Sequence, residues 1–273
     1  LFGRKKVLGH LGFDHWDFPE GDPTTPRTPD GDFATDDVIA DAAIRASHGT
    51  SPFFFLGFTG GTHCPWEYED YDDSPLDIVG QMPESGRKQL KTYINSLRVA
   101  DNALKKRIEH YDKVDRKTII LIMGDHLPPL GDIYETTHFF KSWGIEEARH
   151  RYSVPAVLWT NFHTKKSDFS CSANFIPAKL TQMMGLQSRG MMALSEDVYS
   201  RFPICSRFVQ AADGRLFESN DFELPFRRLV EDYRIMQYDL LLGKQYALKI
   251  PDWGLDTTAQ SATGGTIKEV GVL

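Results

Sequence analysis

Cysteine is scarce. Cys64, Cys171 and Cys205 are the three in 273 residues, widely spaced, with no CxxC pair and no disulfide framework. The odd count leaves the redox compartment undecided, and Cys64 reads first as a small buried residue rather than a nucleophile. Long apolar runs are missing too. The longest, Pro52 to Phe58, contains glycine and falls far short of the roughly 20 residues of a membrane helix. Blocks of like charge are also absent. The formal net charge of -7 arises from 38 acidic and 31 basic residues. No electrostatic footprint for nucleic acid or anionic lipid results, so a DNA partner is not expected. The chain does not begin with methionine, and Leu1 to Lys6 lack the apolar core of a secretory signal. That start is expected to be a cut through a longer protein.

What is present is an ordinary globular composition, 41% hydrophobic and 25% charged, long enough to bury one substantial core. Proline, glycine, aspartate and threonine crowd residues 14 to 36 and predict irregular surface chain. Asp36 then reads as the cap of a helix carrying Val38, Ile39, Ala42, Ala43 and Ala46. Pro52 to Phe58 is apolar on both faces, as an interior parallel strand must be, and ends in Thr59-Gly60-Gly61-Thr62-His63. Leu90, Tyr93, Ile94, Leu97, Ala100, Ala103, Leu104 and Ile108 trace one helical stripe from Arg87 to Tyr111. Ile119 to Met123 is a second short buried strand, followed at once by Gly124-Asp125-His126. Val154 to Trp159 predicts a third strand, and Ile176 to Met184 a helix closed near Gly185. Beyond residue 190 the pattern weakens to a hairpin around Asp213-Gly214, a helix from Phe226 to Leu242, and a mobile tail from about Asp252. Strands alternating with helices, with polar clusters after the strands, predict an α/β fold. Its sheet should be parallel-dominated with helices on both faces and its ligands beyond the strand ends.

Asp125 and His126 are the strongest local chemical signal. A carboxylate and an imidazole at one strand end can ligate a divalent cation, and mixed oxygen and nitrogen donors suit zinc or manganese. An aspartate capping backbone amides beside a packed histidine is the plain alternative, and the dipeptide alone leaves both open. His63 follows the Gly60-Gly61 turn, and His138 lies across a loop from His126. Either, taken alone, reads more simply as a structural or surface histidine.

The ordered set of segments carries more. Pro52-Phe53-Phe54-Phe55-Leu56, Thr62-His63-Cys64-Pro65-Trp66, Tyr93 to Asp101, Ile122-Met123-Gly124-Asp125-His126 and Ser153 to Leu158 together resemble the bacterial lipoteichoic acid synthase and phosphoglycerol transferase family. That family has a sulfatase-type domain of the alkaline phosphatase superfamily, and the match is to its C-terminal portion. Gly12-Phe13-Asp14, Ile176 to Gly185 and Tyr233 to Tyr246 are similar to further segments of it. The resemblance implies a metal, manganese or zinc with magnesium as a third option, held by four groups of which Asp125 and His126 are two. It implies that His63 contacts the phosphate or leaving group and that His138 is a further histidine on the substrate side. A metal-activated threonine of the family attacks a phosphodiester. Because that threonine and an acidic ligand lie upstream of the Gly12-Phe13-Asp14 turn in family members, both are expected outside this chain.

The expectation is therefore a fragment of a phosphotransferase. Residues 1–190 would form a partial catalytic domain, 191–250 a C-terminal appendage packed on it, and 251–273 a mobile tail. The whole protein would move phosphoglycerol, or a similar phospho-alcohol, from a lipid-linked donor to a glycan or glycolipid. By resemblance it would act at the extracytoplasmic face of a bacterial membrane, held there by a segment outside this chain. The alternatives are a sulfuric or phosphoric ester hydrolase of the same fold, and a catalytically silent domain that binds a headgroup or glycan.

Overall fold

The computed structural model describes residue 8 and residues 13–49, 52–67, 78–140, 144–166, 168–218, 227–249, 255–256 and 269–270. The chain divides into two compact units, one formed by residues 1–115 with 128–139, the other by 116–127 with 140–273.

In the first unit, helix α1 (Asp36–Ala46) packs on helix α2 (Glu84–Tyr111), close to where the apolar spacing predicts them. Ala40 and Ala43 of α1 and Ala103 of α2 are buried, and such small side chains let helices approach closely. The Tyr111 hydroxyl donates to the Ala43 carbonyl at 2.7 Å, tying the last turn of α2 to α1. Helix α3 (Gly131–Thr136) follows, and its Ile133 lies close over Gly86, where an added Cβ would stand 3.2 Å from Ile133 Cγ1. Trp66, Leu130 and Ile133 form an apolar cluster on which Cys64, Leu90, Tyr93 and Tyr134 pack. Residues 14–35 are irregular as expected, with a 3-10 turn at Pro19–Gly21 and a single bridge between Arg27 and Ala34.

Two expectations are corrected here. Residues 52–60 form no strand, although Phe53 to Phe58 read as an interior one. Phe54 is 71% exposed and Phe58 50%. Two-faced apolar composition yields an interior strand only where neighbouring strands supply ladder partners and cover. Asp36, in turn, is not the cap of α1. The N-cap is Thr35, whose side chain makes no capping bond, and Asp36 is the first residue of the helix. Its carboxylate is 3% exposed and accepts a hydrogen bond from the Gly61 amide at 3.0 Å.

In the second unit, β1 (Ile119–Met123) pairs with β2 (Ala156–Thr160), both near the expected positions. Their pairing is antiparallel, with Leu121 opposite Leu158, whereas parallel neighbours were expected. Burial corrects the two-faced reading as well. Ala156 and Leu158 are buried while Val157 between them is 43% exposed, the alternation of an antiparallel pair covered on one face. The Asn161 side chain closes one end of the pair by accepting from the Thr118 amide and donating to the Arg116 carbonyl, each at 2.8 Å. At the other end the Gly124 amide donates to the Pro155 carbonyl at 3.1 Å, the last rung before Asp125.

Helix α4 (Ile145–Arg151) precedes β2, and α5 (Ile176–Met183) ends as expected before Gly185, whose φ of 69° suits a residue without a Cβ. Helix α6 (Gly190–Arg201), which the weak pattern past residue 190 does not announce, leads into a three-stranded antiparallel sheet. Its strands are β3 (Ile204–Cys205), β4 (Phe208–Gln210) and β5 (Leu216–Glu218), with the expected turn at Asp213-Gly214 between β4 and β5. Helix α7 (Arg227–Leu241) completes the core. Phe175, Val198, Phe202, Cys205, Val209, Val230 and Tyr233 form one buried cluster with members on both sides of residue 190. The buried Tyr233 hydroxyl accepts from Asn174 at 2.7 Å and from Gln237 at 3.2 Å. Of the expected tail, residues 255–256 pair with 187–188 and 269–270 with 165–166, and the rest lies outside the described residues. Among the described residues no helix is long and apolar enough to cross a membrane.

Two stability predictions follow from this packing. Phe175→Ala empties a site that is 0% exposed and should cost about 3–5 kcal/mol in urea denaturation. Tyr238→Ala, on the open face of α7 at 63% exposure, should stay within about 0.5 kcal/mol; equal losses would show the core to be elsewhere. Burial pushes the Asp36 carboxyl above its ordinary range, opposed by the Gly61 hydrogen bond and the Arg107 charge. A raised folded-state value means that the ionised form is penalised, so its stability contribution is full at acid pH and is lost as pH rises through that value. Asp36→Asn has no charge to bury. Its melting temperature relative to the native chain should therefore rise between about pH 4 and pH 7, and a fall would show that attraction to Arg107 outweighs burial.

Candidate functional site

The first unit carries His63 and His138. The turn before His63 is closed by the His63 amide donating to the Gly60 carbonyl at 3.0 Å. Both glycines are closely hemmed in. A Cβ on Gly60 would fall 2.3 Å from the Phe33 ring, and one on Gly61 2.8 Å from Asp36 Oδ1. The Phe33 ring continues onto the histidine, its centroid 4.9 Å from the imidazole at 47°. His63 Nδ1 is hydrogen-bonded to the Cys64 carbonyl. A carbonyl only accepts, so the neutral ring carries its proton on Nδ1, leaving the Nε2 lone pair for chemistry. His63 is exposed.

His138 is also exposed and adopts a φ of 48°, in the left-handed region, just past α3. Its neighbour Phe139 rests on Tyr134, centroids 5.2 Å apart, and the Tyr134 hydroxyl donates to the Pro128 carbonyl at 2.7 Å. Tyr134 and Cys64 pack on the same apolar cluster. One cluster thus supports the chain beside both histidines.

The second unit carries Asp125 and His126, directly after the last rung of the β1 and β2 ladder. Their side chains are 89% and 65% exposed. Asp125 Oδ1 accepts from the His126 amide at 2.9 Å, and His126 Nδ1 donates to the Leu127 carbonyl at 2.8 Å. The same reasoning as for His63 leaves Nε2 as a lone pair in the neutral ring. That atom stands 3.6 Å from Asp125 Oδ2. Two acceptors so placed repel unless a proton or a cation lies between them, and a nearby carbonyl holding the other ring nitrogen is the usual support of a metal-ligating histidine. The donor set fits a divalent ion as two of its ligands. Among the described residues no group of three or more His, Cys, Asp or Glu side chains is placed to hold a metal.

The sequence marks Asp36 only as a helix cap and assigns no role to Phe33 or Arg107. Burial pulls the Arg107 guanidinium below its ordinary range, opposed by the Asp36 charge, and its Nε has no hydrogen-bond partner among the described residues. The signal that could have flagged Asp36 is the Gly60-Gly61 pair, since adjacent glycines outside a tight hairpin often admit a close neighbour. Of Thr24, Thr25 and Thr28, which lie downstream of the Gly12-Phe13-Asp14 turn, two have hydroxyls engaged in loop hydrogen bonds. The Thr24 hydroxyl donates to Asp22 at 2.7 Å, and the buried Thr28 hydroxyl donates to Asp30 at 2.5 Å.

Comparison with known proteins gives the family. A protein from Rhizobium meliloti described as a putative cyclic beta-1,2-glucan modification protein is 28% identical over 256 residues, covering 90% of this chain and 40% of that protein. The solved structure of the Streptococcus pyogenes phosphoglycerol transferase GacH, in complex with sn-glycerol-1-phosphate, superposes with a TM-score of 0.66 at 20% identity. It covers 90% of this chain and 59% of that one. That likeness shows the fold, which is α/β and sulfatase-like. The chain thus spans well under two thirds of either relative. The Sulfatase family profile matches residues 2–186, more than half of the chain and including His63, Asp125, His126 and His138, so the chain belongs to the Sulfatase family.

Proposed function

We propose that the protein containing this chain transfers a phosphoglycerol or similar phospho-alcohol group, with Asp125 and His126 as two ligands of a divalent metal and His63 and His138 on the substrate side. Membership of the Sulfatase family supports chemistry at an ester of an oxyanion. The observation that carries the reading is the Asp125 and His126 pair: a carboxylate oxygen and an imidazole nitrogen 3.6 Å apart at a strand end, the ring oriented by the Leu127 carbonyl. Manganese or zinc suits these donors, with magnesium as a third choice. Such a metal, when bound, supplies positive charge against the developing negative charge of a phosphoester. His63 Nε2, when protonated, would donate its proton to a phosphoester oxygen or to the leaving alcohol, and when neutral its lone pair would accept the proton of an attacking hydroxyl.

The nucleophile in this reading is a threonine outside residues 1–273. The engagement of the Thr24 and Thr28 hydroxyls in loop hydrogen bonds agrees with that. The donor is a lipid-linked phosphodiester, met at the extracytoplasmic face of the membrane through a segment outside this chain. The glycan acceptor draws support from the description of the Rhizobium meliloti relative as a glucan modification protein.

Calorimetry with Mn²⁺ and release of lipid product from a phosphatidylglycerol analogue test the assignment. The 273-residue chain should bind Mn²⁺ weakly and turn over no phosphodiester, since two ligands leave the ion largely solvated. In a longer protein carrying the nucleophile, Asp125→Asn or His126→Ala should abolish metal binding and transfer together. His63→Ala should spare the metal and slow transfer roughly 100-fold or more. Equal loss of metal affinity in all three variants would make His63 a ligand. Product release that does not depend on a glycan acceptor would make the reaction hydrolysis.

A further inference from the structure

We propose that Asp36 and Phe33 are positioning residues that set where the His63 imidazole stands, acting through the Gly60-Gly61 turn; this rests on the reading of His63 as a substrate-side histidine. Neither glycine has a positive φ, so the structure requires glycine at both positions for space rather than for backbone freedom. The space is taken by two side chains three residues apart. A Cβ on Gly60 would clash with Phe33 and one on Gly61 with Asp36. A bulkier turn would be pushed off the start of α1 and would carry His63 with it.

The Asp36 bond is unusual in its direction. A buried carboxylate in the first turn of a helix ordinarily accepts from amides of its own helix, which the helix dipole favours. Here the carboxylate reaches to residue 61 instead, 25 positions away in the sequence. Burying a carboxylate is costly unless it is hydrogen-bonded or paired, so the Gly61 amide and the charge of Arg107 are what make the site tenable. The helix that bears Asp36 is in turn anchored to α2 by the Tyr111 to Ala43 bond. The turn is therefore held by a helix pair as well as by its own loop.

From Gly61 the restraint passes to the imidazole in two residues. The His63 amide closes the turn on Gly60, the Phe33 ring covers one side of the imidazole, and the Cys64 carbonyl takes Nδ1. The Nε2 edge, which is the one the proposed chemistry uses, takes no part in these contacts. Small displacements of a positioned acid or base are expensive to a reaction while changing ground-state binding little. The effect should therefore fall on kcat.

The test reads position and activity separately. In the 273-residue chain with isotope-labelled glycine and histidine, NMR should show a Gly61 amide protected from solvent exchange and His63 as the Nδ1–H tautomer. Asp36→Ala should speed Gly61 exchange roughly tenfold or more and move the His63 ring signals. Asp36→Asn, which keeps an oxygen acceptor, should restore both, and Phe33→Ala should shift the His63 ring signals alone. Gly61→Ala, whose Cβ would lie 2.8 Å from Asp36 Oδ1, attacks the same contact from the loop, so the double variant with Asp36→Ala should be no worse than either single one. In the longer protein, Asp36→Ala should lower kcat roughly tenfold with KM and Mn²⁺ affinity unchanged, and Asp36→Asn should recover it. Unchanged Gly61 exchange and His63 signals in Asp36→Ala overturn the proposal. If that variant unfolds, unchanged His63 signals in Gly61→Ala overturn it equally. Should the NMR effects appear while His63→Ala transfers at the native rate, the positioning stands and the substrate-side reading of His63 falls.

Discussion

A carboxylate taken out of water must be given hydrogen-bond donors, and in the first unit that requirement joins separate stretches of chain. Asp36 is buried at the start of α1, and the amide that reaches it belongs to the glycine turn before His63. The side-chain contacts of Phe33 with Gly60 and His63 follow the same line. Without the donor, the cost of the buried charge would fall on the packing of α1 against α2, where Arg107 is itself partly desolvated and pulled below its ordinary range. Helix packing and the placement of a candidate reactive group are therefore one problem in this unit, solved by one hydrogen bond and two missing side chains.

His63 and His126 share a local device. Each ring gives Nδ1 to the carbonyl of the residue that follows it, so each neutral ring presents Nε2 outward. The device needs no distant partner, which suits residues in polar segments beyond the regular elements. What differs is what Nε2 faces. For His126 it is the Asp125 carboxylate, an acceptor opposite an acceptor, a pair that a proton or a cation between them relieves. For His63 it is an exposed edge beside an aromatic ring. In the proposed function, a metal ligand and a substrate-side acid or base are different uses of the same tautomer.

The core around Phe175, Val209 and Tyr233 owes nothing to these groups. It is closed by apolar packing and by the Tyr233 hydroxyl, which Asn174 and Gln237 satisfy in the interior. Stability and chemistry are thereby separated in the second unit, whose candidate ligands stand exposed at the end of a strand pair. A buried network that is fully satisfied can hold an element in place while exposed side chains nearby remain free to bind.

Much of this was legible in the sequence. Periodicity located α1, α2, α5 and α7, an uninterrupted β-branched run located β1, and the short apolar segment Val154 to Trp159 located β2, because these patterns record which faces a chain must bury. The ordered segments around His63 and Asp125-His126 carried the family resemblance that the Sulfatase match bears out. Strand direction was not legible, since a run such as Ile119 to Met123 has the same composition in either pairing, and the antiparallel register with β2 depends on how the intervening chain returns. Nor was the fate of Phe53 to Phe58, whose apolar pattern states a need for neighbours but cannot supply them. Asp36 shows the same division most sharply. Its sequence position announced a helix start, which local propensity determines. That its carboxylate would turn from its own helix to the Gly61 amide was decided by tertiary structure alone, because a buried charge takes whichever donor the packed chain brings within reach.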